Sequence, residues 1–72
     1  MKKTIKNYID HNPADIDIII RGRNPMEEHG STTDYYSGEI GNVPEKFQNA
    51  EVIEVWFSLN YDCYIIEIPQ LK

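Results

Sequence analysis

Few side chains in this chain could do chemistry, and their spacing argues against most of it. Arg21-Gly22-Arg23 sets two guanidinium groups beside a glycine, a pair able to hold a phosphate or a carboxylate. No glycine-rich strand-to-helix turn accompanies it, so a polar strand end balancing nearby acids is the plainer reading. His11, His29 and Cys63 are far apart, with no Cys-x-x-Cys or His-x-x-x-His pairing, so neither a metal site nor a cofactor is expected. A reactive cysteine needs a cationic setting, and the neighbour of Cys63 is Asp62. Glu27-Glu28, Asp15 and Asp17 are carboxylates without a cleft to perturb them and read as solvated charges. The chain is therefore not expected to be an enzyme.

What remains is a pair of large apolar residues, Trp56 and Ile65, and the segments that must position them. Glu51–Ser58 and Cys63–Ile68 read as two strands joined by a tight polar turn centred on Asn60-Tyr61. Folded on that turn, Phe57 faces Tyr64, Val55 faces Ile66 and Ile53 faces Ile68, three apolar pairs on one side, which sets the register. On the other side Trp56 meets Ile65 and Glu54 meets Glu67. Two opposed glutamates are unfavourable, and Arg21 is the candidate cation to relieve them.

The rest of the chain supplies the support. Thr4 can cap a helix over residues 4–11, its hydroxyl accepting from a first-turn amide, with Ile5, Tyr8 and Ile9 on one stripe and Asn12-Pro13 ending it. Asp15–Arg21 is a strand with Ile16, Ile18 and Ile20 on one face and Asp15, Asp17, Ile19 and Arg21 on the other. Gly22–Ser31, with Asn24-Pro25 and Gly30, is a loop. Thr32–Ile40 is a second strand that Gly38 either weakens or marks with a bulge, and Pro44–Gln48 is one helical turn. Together these predict a single α+β domain over residues 1–72: an N-terminal helix packed on one face of a four-stranded, mainly antiparallel sheet. The expected core is Ile5, Tyr8, Ile9, Ile16, Ile18, Ile20, Ile53, Val55, Phe57, Tyr64, Ile66 and Ile68.

Size and charge narrow the function. Seventy-two residues bury only about 60% of the surface of the unfolded chain, so stability is modest and a deep substrate pocket has no room. The net charge of −5 disfavours direct nucleic-acid binding, which needs Lys and Arg against phosphates, and disfavours an anionic membrane surface. The lone Cys63 permits no intramolecular disulfide and fits a reducing cytoplasm. Met1-Lys2-Lys3 looks like the start of a signal peptide, but no apolar stretch follows, and no run approaches the ~20 residues of a membrane span.

The order of segments also resembles small orphan proteins from phages and mobile elements of Gram-positive bacteria. The residues that carry it are Thr4–Ile9, Asp15–Ile18, Tyr36–Ile40, Val43–Phe47, Glu51–Ile53 and Tyr64–Ile68. These build the fold and include no catalytic motif. The resemblance implies a setting in which small accessory proteins bind and block a host protein, defence nucleases among them.

The leading expectation is a non-enzymatic protein-binding module, an inhibitor or modulator of a host protein. It would present Trp56, Ile65, Tyr61, Arg21, Arg23 and Met26. Trp56 beside Ile65, Val52 and Ile19 would form an exposed apolar patch, and a homodimer through this Trp56 face is another way to cover it. Two alternatives stand. One is an acidic nucleic-acid mimic, which needs Asp15, Asp17, Glu51, Glu54 and Glu67 in a continuous strip. The other is a binder of a nucleotide or phosphate that uses Arg21, Arg23 and Cys63.

Overall fold

Two isoleucine-rich segments, Ile18–Ile20 and Ile65–Ile68, end up side by side at the centre of one sheet, and that placement organises everything else. The computed structural model describes residues 3–23 and 32–70. Gly22 and Arg23, expected to open the loop, belong instead to the first strand, and the remaining residues 24–31 of that loop, Met26 among them, lie outside the described residues. The elements run α1 (Ile5–His11), β1 (Asp17–Arg23), β2 (Thr33–Glu39), a 3₁₀ turn (Ile40–Asn42), α2 (Glu45–Gln48), β3 (Glu54–Ser58) and β4 (Cys63–Pro69). The sheet order is β2-β1-β4-β3. The outer pairs are antiparallel and the central pair, β1 with β4, is parallel. The fold is thus α+β, as the sequence predicts, with one parallel seam.

That seam has a chemical signature. A central strand is covered on both faces, so its apolar residues run on rather than alternate. Ile18, Ile19 and Ile20 are all buried, as are Ile65 and Ile66. Ile19 was expected on a polar face; it lies instead in a second, smaller cluster with Cys63 and Ile65. The main core lies on the α1 side and contains Ile5, Ile18, Ile20, Ile66 and Ile68, with Tyr8, Ile9, Ile16 and Val55 packed against it.

Local hydrogen bonds set the ends of α1. Thr4 and Asn7 form the expected capping box, the Thr4 side chain set toward the Asn7 amide while Asn7 Oδ1 accepts from the Thr4 amide (2.9 Å) and from its hydroxyl (3.0 Å). At the other end, His11 Nδ1 donates to the Asn7 carbonyl and Asn12 Nδ2 to the Tyr8 carbonyl (2.6 and 2.8 Å), satisfying acceptors that a helix terminus leaves open. The segment before α1 pairs with the segment before β3: Ile5 N–H donates to the Ala50 carbonyl, and Val52 N–H to the Lys3 carbonyl. Residues 51–53, expected to open the third strand, are therefore taken up by this pairing and by a contact to β4, and β3 starts at Glu54. Val52 packs with the main core and not with the Trp56 face.

The bulge in β2 is not at Gly38. The pairing with β1 steps from Ile20↔Tyr36 to Arg21↔Asp34, leaving Tyr35 as the extra residue. This lets the adjacent Tyr35 and Tyr36 both pack against the main core. Tyr35 stacks on Phe47 with ring centroids 5.8 Å apart. Gly22 makes room for it: a Cβ there would sit 2.4 Å from Tyr35 Cε2.

The predicted core needs one correction. Ile53, Phe57 and Tyr64 are 43%, 45% and 46% exposed. The reason is length. Seven residues of α-helix span only about 10 Å, so α1 cannot cover the whole sheet. Ile40, Val43 and Phe47, from the 3₁₀ turn through α2, fill the core instead, over the side of the sheet nearer β2. The tip of the β3–β4 hairpin stays uncovered.

Candidate functional site

The face of the sheet away from α1 carries Asp17, Ile19, Arg21 and Arg23 from β1, Cys63, Ile65 and Glu67 from β4, and Glu54 and Trp56 from β3. The registers Trp56↔Ile65 and Glu54↔Glu67 match those derived from alternation. The indole points away from the side that α1 shields. It is 39% exposed, and its Nε1–H donates to Glu67 Oε1 (3.2 Å). Ile65, expected beside it as half of an exposed pair, is 0% exposed. As a residue of the second strand of the central seam it is roofed by its neighbours and offers a partner nothing to touch.

The cation paired with both glutamates is Arg23, while Arg21, the register partner of Glu67, contributes only a weaker attraction to it. Arg23 Nη1 lies 3.8 Å from Glu54 Oε2 and 3.7 Å from Glu67 Oε1. Arg21 is drawn to the β2 side, where its Nε–H donates to Asp34 Oδ1 at 2.8 Å. That hydrogen bond holds its guanidinium pKa above the ordinary value, against the opposing effect of burial. The bulge at Tyr35 is what brings Asp34 opposite Arg21. Both arginines are thus engaged by carboxylates, which matches the plainer reading of a polar strand end balancing nearby acids.

This arrangement makes a measurable demand on Arg23. Its own side chain is about half exposed while that of Glu67 is nearly buried, so the interaction sits between a surface and a buried ion pair. Arg23→Gln is expected to lower the unfolding free energy by about 1 kcal/mol at low salt. The loss shrinks in a Glu67→Gln background, where no buried carboxylate needs compensation and only the exposed Glu54 remains. Urea unfolding of the four chains of this cycle reads the coupling. Equal losses in both backgrounds would mean that Arg23 acts through Glu54 or packing and not through Glu67.

Cys63 is buried and free. Burial pushes its thiol pKa above the ordinary value; Asp17 and Asp62 add to the shift, and Arg21 opposes it. The folded state therefore prefers the neutral thiol. Its contribution to stability is complete below the unfolded pKa of about 8.5 and is lost as pH rises through the raised folded value. Between pH 8 and 10.5 the wild-type melting temperature is expected to fall more steeply than that of Cys63→Ala, measured by differential scanning calorimetry. Parallel curves would show that the thiol is not the group involved. A protonated, buried thiol is a poor nucleophile. Among the described residues no group of three His, Cys, Asp or Glu side chains could hold a metal ion.

The acidic residues do not line up. Arg21 pairs with Glu67 in the β1–β4 register, which puts Asp17 four residues, roughly 13 Å, from that position. Ile19 intervenes, Arg21 and Arg23 set positive charge beside Glu67 and Glu54, Glu67 is buried, and Glu51 faces Thr4. The strip that phosphate mimicry needs is interrupted.

A different pattern emerges at the hairpin. The exposed large hydrophobic residues are Ile53, Trp56, Phe57, Leu59, Tyr61 and Tyr64, and all fall within twelve consecutive positions of the described chain. Leu59, in the turn, is 88% exposed. Tyr61 N–H donates to Ser58 Oγ (3.3 Å), which anchors the turn. Phe57 and Tyr64 meet edge to face at 5.1 Å. Beside them an open groove of about 230 Å³ runs along the α1 side, lined by Tyr8, Asn12, Ile16, Val55, Tyr64 and Ile66 among others. The exposure of Trp56 and Tyr61 follows the sequence expectation. That of Phe57, Tyr64, Ile53 and Leu59 was not anticipated, although the shortness of α1 was a signal that it could not cover them.

Fold and site together define an α+β domain with a mixed four-stranded sheet and an aromatic edge hairpin. Comparison with family models, curated proteins and solved structures finds no match for the chain. Among the described residues no helix is long and apolar enough to cross a membrane.

Proposed function

We propose that this chain is a small non-enzymatic protein-binding module, an inhibitor or modulator of a host protein, that docks through its β3–β4 hairpin. The observation that carries the reading is the confinement of the exposed large apolar side chains of the described residues to positions 53–64. Apolar patches of this kind on a small domain mark interaction sites, and Trp and Tyr are the residue types that anchor them. Trp56 and Tyr61 supply the anchors; the buried thiol and the two carboxylate-bound arginines leave no reactive centre among the described residues. The phage or mobile-element setting rests on the resemblance carried by Thr4–Ile9 and the other segments named above, and the lone Cys63 favours a reducing cytoplasm.

The test compares the wild type with Trp56→Ala and Leu59→Asp as immobilised baits in lysate from a Gram-positive host. A partner held by the wild type and lost from both variants, with circular dichroism unchanged, is the expected result. Equal capture by all three chains overturns the reading.

A further inference from the structure

Among the described residues the two edge strands of the sheet, β2 and β3, have no further strand paired along them, and they are built differently. β2 carries the Tyr35 bulge, two acidic residues and Gly38 at φ +149°, features that spoil an edge for pairing. β3 has none of these. Glu54-Val55-Trp56-Phe57-Ser58 pairs with β4 in unbroken register and contains no proline, no glycine and no lysine, with apolar residues on both faces. Such an edge invites another strand. Its open length is also delimited, because Val52 N–H is already taken by the Lys3 carbonyl.

We propose that the occupant of this edge is a second copy of the chain, paired antiparallel through β3 about a two-fold axis at Trp56. The sequence of the edge is self-complementary in that register. Val55 of one copy lies opposite Phe57 of the other, and Trp56 lies opposite its own counterpart. Glu54 meets Ser58, so no like charges face each other in the ladder. Just beyond the two ends of the strand, Ile53 before it and Leu59 in the turn after it are brought close to each other across the junction. Val55 and Phe57 form an apolar row between them. An isologous contact of this kind closes as a dimer and does not propagate. Two four-stranded sheets become one of eight strands, with the outer faces continuous. This rests on the reading of the hairpin as a docking surface and names one of its occupants; it differs from a face-to-face dimer because the backbone edges meet.

Sedimentation equilibrium of the full chain is expected to return twice the monomer mass. The dimer tightens as salt rises, because each copy carries a net charge of −5 and screening weakens their repulsion. Leu59→Lys weakens it at least tenfold with an unchanged melting temperature for the monomer. Cross-linking reads the register. In a Cys63→Ala background, Trp56→Cys is expected to form an intermolecular disulfide on mild oxidation, since directly opposed residues have Cβ atoms about 4.5–5.5 Å apart. Glu54→Cys is not, because its two copies are four residues, roughly 13 Å, apart. A monomer mass at high micromolar concentration, or equal cross-linking of the two variants, overturns the proposal. A monomer whose partner capture still depends on Trp56 loses the dimer and keeps the docking function; a dimer whose Trp56→Ala variant captures partner normally does the reverse.

Discussion

Ile20→Ala is expected to lower the unfolding free energy by about 3–4 kcal/mol and to leave a substantial population of unfolded chain at 37 °C. Ile20 is fully buried on the α1 side of β1, between β2 and β4. Removing a buried isoleucine down to its Cβ costs the transfer free energy of the lost methylene and methyl groups plus that of the cavity, about 2–5 kcal/mol. Collapse of the cavity is hindered because both neighbouring strands hold Ile20 by backbone pairing, which places the loss in the upper part of that range. A 72-residue chain has only about 4–11 kcal/mol to lose. Guanidinium unfolding monitored by tryptophan fluorescence and by far-ultraviolet circular dichroism measures the change. A loss under 1 kcal/mol would mean that the centre of the sheet is not the centre of stability. Leu59→Ala is the matched control: with its side chain almost wholly in water, it is expected to change stability by less than about 0.5 kcal/mol.

Trp56→Ala is expected to do the opposite, sparing the fold and removing the function. The indole gives up partial burial and one hydrogen bond to Glu67, together about 1–2 kcal/mol. That lowers the melting temperature by several degrees and leaves the chain folded. Affinity for the captured partner, measured by calorimetric titration once the partner is purified, is expected to fall at least a hundredfold, the loss typical of a central aromatic anchor. Trp56→Phe separates the two contributions, keeping most of the ring area while deleting the Nε1–H that Glu67 accepts. It is expected to retain most of the affinity and to lose stability. If Trp56→Ala unfolds, or binds as well as the wild type, the indole is a structural residue and the docking surface lies elsewhere.

Much of this architecture can be read from local patterns. The β3–β4 register needs only the alternation of Val55, Phe57, Tyr64 and Ile66 with Glu54, Trp56, Ile65 and Glu67, because a one-residue slip would turn every apolar residue to water. Helix α1 follows from the spacing of Ile5, Tyr8 and Ile9 and the proline at 13. The site was half legible for the same reason. Trp56 falls on the outer face by parity alone, but whether its neighbours are open depends on what lies beside β4, and parity is silent on that.

The amino-acid order alone determined the elements, the hairpin register and the side of the sheet on which the indole sits, since each depends on contacts between near neighbours in the chain. Tertiary structure alone decided that β1 lies parallel to β4. That single non-local choice buried Ile65 and Ile19 and placed Arg23 at Glu54 and Glu67, while the bulge in the β1–β2 pairing gave Arg21 to Asp34. It also decided which residues cover the sheet, because Ile40, Val43 and Phe47 compete with α1 for the same apolar face and a seven-residue helix cannot reach the hairpin tip. Period-two alternation says which way a side chain points; only packing between distant segments determines what it finds there.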